Sequence, residues 1–345
     1  MNVHKNFEKT LEAVRSEKIS LPPIPSPENL DSNNFFSSGY GKIEYDIITY
    51  ENLDAKNGLE YYNSKIVLGY DESIQKYQAL EGAAYFTSHS LIMLDPEEKD
   101  YIPSSFLTFY FYTRSKTILE NSEYIKSVDT SSNPEDVSDF TNEQFESAYK
   151  KDYANDRSYL ISKCPPNSIL FVDGPLIGAQ MSEYTVKMNH ALLEKNIVPI
   201  FFIKNSSSNL VIDNVSELRS KFNSDMHWSY QFLKQGQRTN FFKYTDKTNS
   251  SFSKVFCYLK PFKNRSPQRV EIHTKTYEMY KNEIDSIMNL VYYFLLVHGD
   301  VNNPQVRPVA IAEMYARHTL NVFNIYEMVN STKLTPTMNE VRGFK

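Results

Sequence analysis

The stretch SILFVDGPL, at residues 168–176, decides the fold of this chain. Its apolar run leads to Asp173, and the Gly-Pro pair that follows is expected to end an extended segment. Short β-branched and aromatic runs bounded by turn residues are typical of interior strands of a sheet. The pattern therefore predicts a buried strand that carries a carboxylate at its carboxyl end.

A similar stretch, KIVLGYDES at residues 65–73, places Asp71 after another apolar run. Functional groups of open α/β sheets collect beyond the ends of strands. We expect two aspartates delivered by neighbouring strands to lie close enough to share a divalent cation, which is an arrangement used for phosphodiester cleavage. Either motif alone is more often a simple turn. The hypothesis of a metal-binding site therefore depends on the presence of both motifs.

Composition restricts the function without defining it. A chain of 345 residues can form one large domain or two ordinary ones. The net charge of −5 does not indicate a nucleic-acid partner, so an enzyme acting on DNA would need local basic patches or a partner that delivers the DNA. The chain contains only two cysteines, Cys164 and Cys257, and this number is too small for a disulfide framework or a zinc cluster. With no signal-peptide pattern and no apolar run long enough to span a bilayer, we expect a soluble cytoplasmic protein without a membrane partner.

The chain divides into an N-terminal arm, residues 1–40, and one domain, residues 41–335. The arm is predicted to contain an amphipathic helix at residues 5–19, followed by the Pro-rich segment LPPIPSP, and to contact a partner or a second protomer.

Alternating strand and helix patterns predict the fold of the domain. Strands are predicted at residues 42–50, 66–70, 83–94 and 105–112, which suggests an antiparallel meander. The segment 128–140 is predicted to be a loop and residues 141–164 a helix. After the Asp173 strand, a helix at 181–195 and a strand at 197–204 predict a β-α-β unit with parallel strands. Further helices are predicted at residues 215–223, 280–298 and 308–329. This order predicts an α/β fold of the RNase H-like type, with a mixed central β-sheet flanked by helices.

Two-metal hydrolysis needs a third or fourth carboxylate beside Asp71 and Asp173. Carboxylate oxygens suit Mn²⁺ or Mg²⁺, and the lack of paired cysteines argues against zinc. We expect the third ligand on the helix before the Asp173 strand, with Asp156 as the first candidate and Glu146 and Asp152 as alternatives. An acidic residue on a helix is ordinarily part of a solvated face.

Two further regions carry candidate site residues. Lys204 ends the strand after Asp173 and precedes NSSS, so it is predicted to contact a phosphate, although a solvated lysine opening a loop fits the pattern equally well. The helical segment RPVAIAEMYARH, residues 307–318, contains Tyr315 and His318, which are candidates for orienting water or DNA. A lone histidine is more often structural.

These pieces, taken in order, resemble the motifs of the NurA nuclease family. Asp71-Glu72-Ser73 resembles the family's first Asp-Gly-Ser box, and Asp173-Gly174-Pro175-Leu176 its second box, Asp-Gly-Ser-Leu. Lys204 with Ser206 resembles its lysine-containing strand end, and residues 307–318 its Tyr-Pro…Ala-His helix.

The chain also departs from the family pattern. Glu72 replaces the glycine of the first box, Arg307 stands where the family commonly has Tyr, and Tyr315 stands where it has His. His318 and Glu313 are nearby candidates to substitute for that histidine.

The resemblance implies a manganese-dependent nuclease that acts on DNA ends and single strands through two Mn²⁺ (or Mg²⁺) ions held by Asp71, Asp173 and Asp156. It also implies a homodimer docked on a HerA-type hexameric ATPase, in DNA end resection or in defence against phage. The alternative is a catalytically weakened RNase H-like scaffold that binds the motor and DNA. A nucleotidyl- or phosphotransferase is disfavoured, because the chain contains only 10 Gly and no phosphate-binding glycine-rich loop.

Overall fold

The computed structural model describes residues 41–94, 102–120, 123–127, 140–178, 181–204, 206, 208–219, 221–332 and 334–337. The predicted N-terminal helix at 5–19 and the Pro-rich arm lie outside the described residues. Nearly all of the loop predicted at 128–140 lies outside them as well.

The strands are β1 (Gly41–Glu44), β2 (Tyr50–Asn52), β3 (Val67–Ala79), β4 (Gly82–Leu94), β5 (Ile102–Thr113), β6 (Lys126–Ser127), β7 (Ile169–Asp173), β8 (Val198–Ile203), β9 (Gln237–Thr239), β10 (Phe242–Asp246), β11 (Ser253–Lys260) and β12 (Gln268–His273). The α-helices are α1 (Ala55–Tyr62), α2 (Lys116–Leu119), α3 (Phe140–Ile161), α4 (Ser182–Leu193), α5 (Asp225–Phe232), α6 (Thr274–Met279), α7 (Ile284–His298), α8 (Arg307–Val322) and α9 (Ile325–Asn330). In the described ranges, no helix combines the length and the apolar character needed to cross a bilayer.

One mixed sheet forms the centre of the described chain, with the strand order β1-β10-β11-β12-β8-β7-β3-β4-β5-β6. Strands β3, β4 and β5 form the predicted antiparallel meander, and β3, β7 and β8 run parallel to one another. Helix α4 connects β7 to β8, as predicted for a β-α-β unit. The predicted fold class, an α/β fold with a mixed central sheet flanked by helices, is confirmed.

The strand that carries Asp71 is longer than predicted. The apolar run ends at Tyr70, but β3 continues through Asp71 to Ala79 because β4 pairs with it along its whole length. By contrast, β7 ends at Asp173, where Gly174 adopts a left-handed backbone with φ +98°. The sheet therefore has a step beside Asp173, beyond which β3, β4 and β5 continue without β7.

Three other local predictions are wrong. The helix predicted at 308–329 is divided into α8 and α9, because Asn324 between them adopts a left-handed backbone with φ +44°. The strand predicted over residues 42–50 is divided between β1, which pairs with β10, and β2, which pairs with β9. The helix predicted at 215–223 is a series of turns over its described residues, and the nearest helix is α5. Helix α5 begins after Ser224, because the hydroxyl of Ser224 accepts a hydrogen bond from the backbone N–H of His227 at 3.2 Å.

Side chains alternate along each strand, so the sheet presents two different faces to its helices. On one face, Val67 and Phe171 pack with Ile287 of α7 and Val309 of α8. We call this the α7/α8 face. On the other face, residues that include Leu170 pack with side chains of α3 and α4, and we call it the α3/α4 face.

Candidate active site

Asp71 and Asp173 lie side by side on neighbouring parallel strands. The register pairs Tyr70 with Val172, so the next position along the two strands pairs the two aspartates. Neighbouring strands lie about 4.8 Å apart. Asp71 lies two positions after Gly69, and Asp173 lies two positions after Phe171. Because Gly69 and Phe171 both belong to the α7/α8 face, both carboxylates project toward α8.

Helix α8 lies unusually close to the sheet at this point. A Cβ on Gly69 would lie 2.2 Å from the carbonyl carbon of Pro308, so only glycine permits the approach. Because Pro308 is in the first turn of α8, the contact fixes the amino end of this helix over β3. Glu313 is thereby held above the end of β7.

Lys204 joins the aspartate pair to α8. Its Nζ lies 2.9 Å from Oδ2 of Asp173 and 3.3 Å from Oε2 of Glu313. Partial burial disfavours the charged form of Lys204, but the attraction of Asp173, and then of Glu313 and Asp71, outweighs burial and raises its pKa. Lys204 is therefore a charged ammonium at neutral pH.

Glu313 is surrounded by donors. Its Oε2 accepts a hydrogen bond from Nε2 of Gln305, and its Oε1 forms an ion pair with Nη2 of Arg317. Partial burial would raise the pKa of Glu313, but the hydrogen bond from Gln305 and the charges of Lys204 and Arg317 outweigh it and lower the pKa. Glu313 is consequently ionised at neutral pH.

The carboxyl group of Asp71 is the most perturbed acid of the site. The residue is 6% exposed. Burial, followed by repulsion from Glu72 and Asp173, raises the pKa of Asp71 to about 8, although Lys204 acts in the opposite direction. A buried carboxyl group beside a second carboxylate is stabilised by a cation or by a proton.

Hard carboxylate oxygens are the donors that Mg²⁺ and Mn²⁺ prefer, so Asp71 and Asp173 fit a divalent ion chemically. In the described part of the chain, however, no three His, Cys, Asp or Glu side chains converge closely enough to hold a metal ion by themselves. The ammonium group of Lys204 lies between Asp173 and Glu313 instead.

The predicted third ligand, Asp156, is not brought to the pair. It lies on α3, on the opposite side of the sheet, where its Oδ2 accepts a hydrogen bond from Tyr110 at 2.8 Å. The two alternatives on α3 also have other partners: Asp152 pairs with Lys126 at 2.7 Å and Glu146 with Lys76 at 3.1 Å. The sheet therefore separates this helix from the carboxylates of Asp71 and Asp173.

Glu72, the residue that stands where the family has glycine, also faces α3. Its carboxylate accepts a hydrogen bond from the hydroxyl of Tyr153. Next to it, the hydroxyl of Tyr70 lies 2.8 Å from Nδ1 of the buried His89. Adjacent acidic residues of β3 thus have different roles: Asp71 faces α8 and Glu72 belongs to a buried polar cluster beneath the site.

Of the three candidate residues on α8, Glu313 lies at Lys204, whereas Tyr315 and His318 lie away from it. A helix turns about 100° per residue, so Tyr315 and His318 lie on a different flank from Glu313, and His318 is exposed. A histidine that the sequence did not suggest, His298 at the end of α7, is close enough to Lys204, Glu313 and Arg307 to interact with them electrostatically. Burial is the main cause that lowers its pKa.

Sequence reasoning also missed the support behind the site. The carboxylate of Glu271 on β12 is fully buried, accepts a hydrogen bond from the backbone N–H of Leu176 at 3.0 Å and pairs with Lys254. Its neighbour Arg269 donates to the hydroxyls of Ser206 and Ser208. These side chains fix the loops that follow Asp173 and Lys204. The sequence signal for this network is the placement of the charged residues Arg269 and Glu271 at alternate positions of a strand that otherwise contains apolar residues.

Solved structures that resemble the chain do so only distantly. No curated protein matches the chain. Among solved structures, the NurA nuclease from Sulfolobus solfataricus aligns over 86% of this chain and 90% of its own, with 10% identity and a TM-score of 0.45. A NurA bound to dAMP and manganese aligns over 94% of both chains, with 9% identity and a TM-score of 0.38. An endonuclease V from Bacillus subtilis aligns over 76% of this chain and 83% of its own, with 9% identity and a TM-score of 0.37.

The family comparison is more specific than these distant structural similarities. The model of the NurA domain matches residues 86–313, which includes β7, β8 and Glu313. The match ends at the helix that brings Glu313 to Lys204, and it covers well over half of the chain. The chain therefore belongs to the NurA family.

Proposed function

We propose that this chain is a metal-dependent nuclease that hydrolyses phosphodiester bonds of DNA at Asp71 and Asp173. The observation that carries the proposal is the side-by-side placement of these aspartates, with the charged Lys204 2.9 Å from Asp173. Membership of the NurA family, and a relative solved with dAMP and manganese, support the same chemistry. Mn²⁺ or Mg²⁺, in one or two ions, is the proposed cofactor.

Each residue has a separate part in this mechanism. Asp71 and Asp173 would hold the metal, which when bound supplies Lewis-acid activation of water and of the phosphate. Lys204, kept charged by its acidic neighbours, stabilises the negative charge that develops on the phosphate oxygens. Glu313 orients Lys204. This scheme gives Asp156, Tyr315 and His318 no part in the reaction, because Asp156 is hydrogen-bonded to Tyr110 across the sheet from the aspartates and the other two lie on a different flank of α8 from Glu313.

The proposed partners come from the family resemblance. We propose that the protein works as a homodimer docked on a HerA-type hexameric ATPase, with the N-terminal arm, residues 1–40, as a contact, in DNA end resection or in defence against phage. A motor that feeds DNA to the site would suit a chain whose net charge is −5. Co-purification with such an ATPase and sedimentation of the complex test this part.

Cleavage assays with matched variants test the nuclease proposal. Labelled single- and double-stranded DNA is incubated with the purified protein and Mn²⁺, Mg²⁺ or EDTA. We expect Asp71→Asn and Asp173→Asn each to lower the rate by at least about a hundredfold, while Asp156→Asn cleaves like the wild type. Thermal unfolding establishes that the variants are folded. Full activity in either site variant would refute the assignment.

A non-catalytic scaffold is the second candidate, favoured by one observation. Within the described residues no three acidic, histidine or cysteine side chains form a ready metal site, and the ammonium of Lys204 lies among the carboxylates. Calorimetric titration with Mn²⁺ separates the two candidates. Heat of binding that disappears in Asp173→Asn supports the nuclease, whereas no binding by the wild type supports the scaffold.

A further inference from the structure

The carboxylate of Glu313 pairs with two positively charged side chains, one at each of its oxygens. Lys204 lies 3.3 Å from Oε2, toward the aspartates, and Arg317 is paired with Oε1, toward the outside. The side chain of Glu313 is only 19% exposed, and Gln305 also donates to it. With both oxygens engaged by donors of its own chain, Glu313 acts in this arrangement as a positioning carboxylate.

The side chains of Lys204 and Arg317 differ in their exposure to solvent. The Lys204 side chain is 23% exposed, whereas that of Arg317 is 69% exposed. Lys204 is also compensated by Asp173, 2.9 Å away. Arg317 therefore presents most of its side chain to solvent, next to the site and on the same flank of α8 as Glu313.

An exposed ion pair between residues four apart on a helix ordinarily contributes little to stability and has no further role. Arg317 differs from that case, because its partner is half-buried and shared with the lysine of the site. The guanidinium also keeps donors that Glu313 does not use, and their planar fork matches two oxygens of a phosphate.

We propose that Arg317 binds a backbone phosphate of the nucleic-acid strand next to the phosphate that lies at Lys204. The strand would run from Asp173 and Lys204 outward along the Glu313 flank of α8. This inference rests on the proposed function and adds a substrate-binding residue to it. It supplies the local basic contact that a chain of net charge −5 needs in order to attract DNA.

Binding measured without cleavage tests the role of Arg317. Fluorescence anisotropy with a labelled single-stranded oligonucleotide is recorded in EDTA at several salt concentrations, for the wild type, Arg317→Ala, Arg317→Lys and Lys187→Ala. The last variant is a matched control, since Lys187 on α4 forms the same kind of pair with Glu183 and is 72% exposed. Thermal unfolding of each variant verifies its folding.

We expect Arg317→Ala to bind more weakly and to show a shallower dependence of log affinity on log salt, by about 0.7 for one lost contact with a single strand. Arg317→Lys should keep the salt slope and lose part of the affinity, because it keeps the charge without the fork. Lys187→Ala should match the wild type in both quantities.

The outcomes separate this inference from the nuclease proposal. If Arg317→Ala matches Lys187→Ala in affinity and slope while the wild type cleaves DNA, the role of Arg317 is overturned and the nuclease stands. If the wild type binds the oligonucleotide but never cleaves DNA, the nuclease proposal fails, and the salt slope still decides the role of Arg317. A wild type that binds no oligonucleotide overturns the role of Arg317, whereas the cleavage assay with Mn²⁺ or Mg²⁺ decides the nuclease proposal.

Discussion

Gly69 of β3 and Pro308 of α8 approach so closely that a Cβ on the glycine would lie 2.2 Å from the proline's carbonyl carbon. The contact places the amino end of α8 directly over the strand that carries Asp71. It follows that the packing of this helix and the position of Glu313 are coupled.

Gly69→Ala should therefore weaken both folding and activity. The added methyl group must push α8 from the sheet, and overpacking of this kind costs about 1–3 kcal/mol. Urea unfolding measures the loss, and the cleavage rate should fall in parallel as Glu313 moves from Lys204. Gln75→Ala, on the same face of the same strand, is the control and should change neither by much. Unchanged stability in Gly69→Ala would show that the helix is free to shift.

Lys204→Met should separate metal binding from catalysis. The Lys204 ammonium lies 2.9 Å from Asp173, where it would compete with the proposed divalent cation for the same carboxylate. Removing the charge should strengthen Mn²⁺ binding in calorimetric titration, while the cleavage rate falls by about a hundredfold because a charge-stabilising group is lost. A variant that binds Mn²⁺ less tightly than the wild type would contradict the competition.

His89 should make the protein sensitive to acid. Burial is the main cause that lowers its pKa to about 4, from an ordinary value of 6.5, and nearby Arg157 adds to the effect. The unfolded chain thus binds a proton that the folded protein excludes, so stability is lost as the pH falls from about 6.5 toward about 4. The loss should reach up to roughly 3 kcal/mol.

Urea unfolding at about pH 7.5 and pH 4.5 compares the wild type with His89→Gln, whose amide keeps a hydrogen-bonding partner for the hydroxyl of Tyr70. The variant should lose less stability between the two pH values, because the glutamine does not titrate. An equal loss in both proteins would mean that other groups cause the acid sensitivity.

Glu271→Gln should destabilise the protein strongly. It leaves the buried Lys254 and Arg269 without their counter-charge and weakens the acceptor for the N–H of Leu176. Removing one partner from a buried pair typically costs about 3–5 kcal/mol. Lys254→Met combined with Glu271→Gln should recover part of the loss. A double-mutant cycle in urea measures the coupling, and strictly additive effects would argue against the buried network.

The central part of the fold was predictable because its signals are local. Apolar runs closed by turn residues identified β7 and β8, and the helical pattern between them implied parallel strands. In the structure, the parallel register of β3 with β7 then places Asp71 beside Asp173. The full length of β3 was not predictable in the same way, since residues after Asp71 alternate in polarity and are held extended by β4.

The third carboxylate near the aspartate pair could not be predicted from the sequence. Helical spacing indicates which residues share a face of α3, but it does not indicate which face of the sheet the helix covers. Distance along the chain from Asp173 favours Asp156, yet α3 packs on the far side of the sheet. Glu313 lies much further along the chain, and only the packing of α8 brings it to Lys204.

The alternation of Asp71 and Glu72 has a consequence for how this protein can change over time. Because successive residues of a strand face opposite sides, deleting one residue ahead of Asp71 would turn its carboxylate toward α3 and expose a longer glutamate to α8. A point substitution along β3 alters a single side chain, whereas a one-residue shift in register would exchange the neighbours of every side chain at once. The length of the segment that leads to Asp71 is therefore a property of this strand that natural variation must preserve.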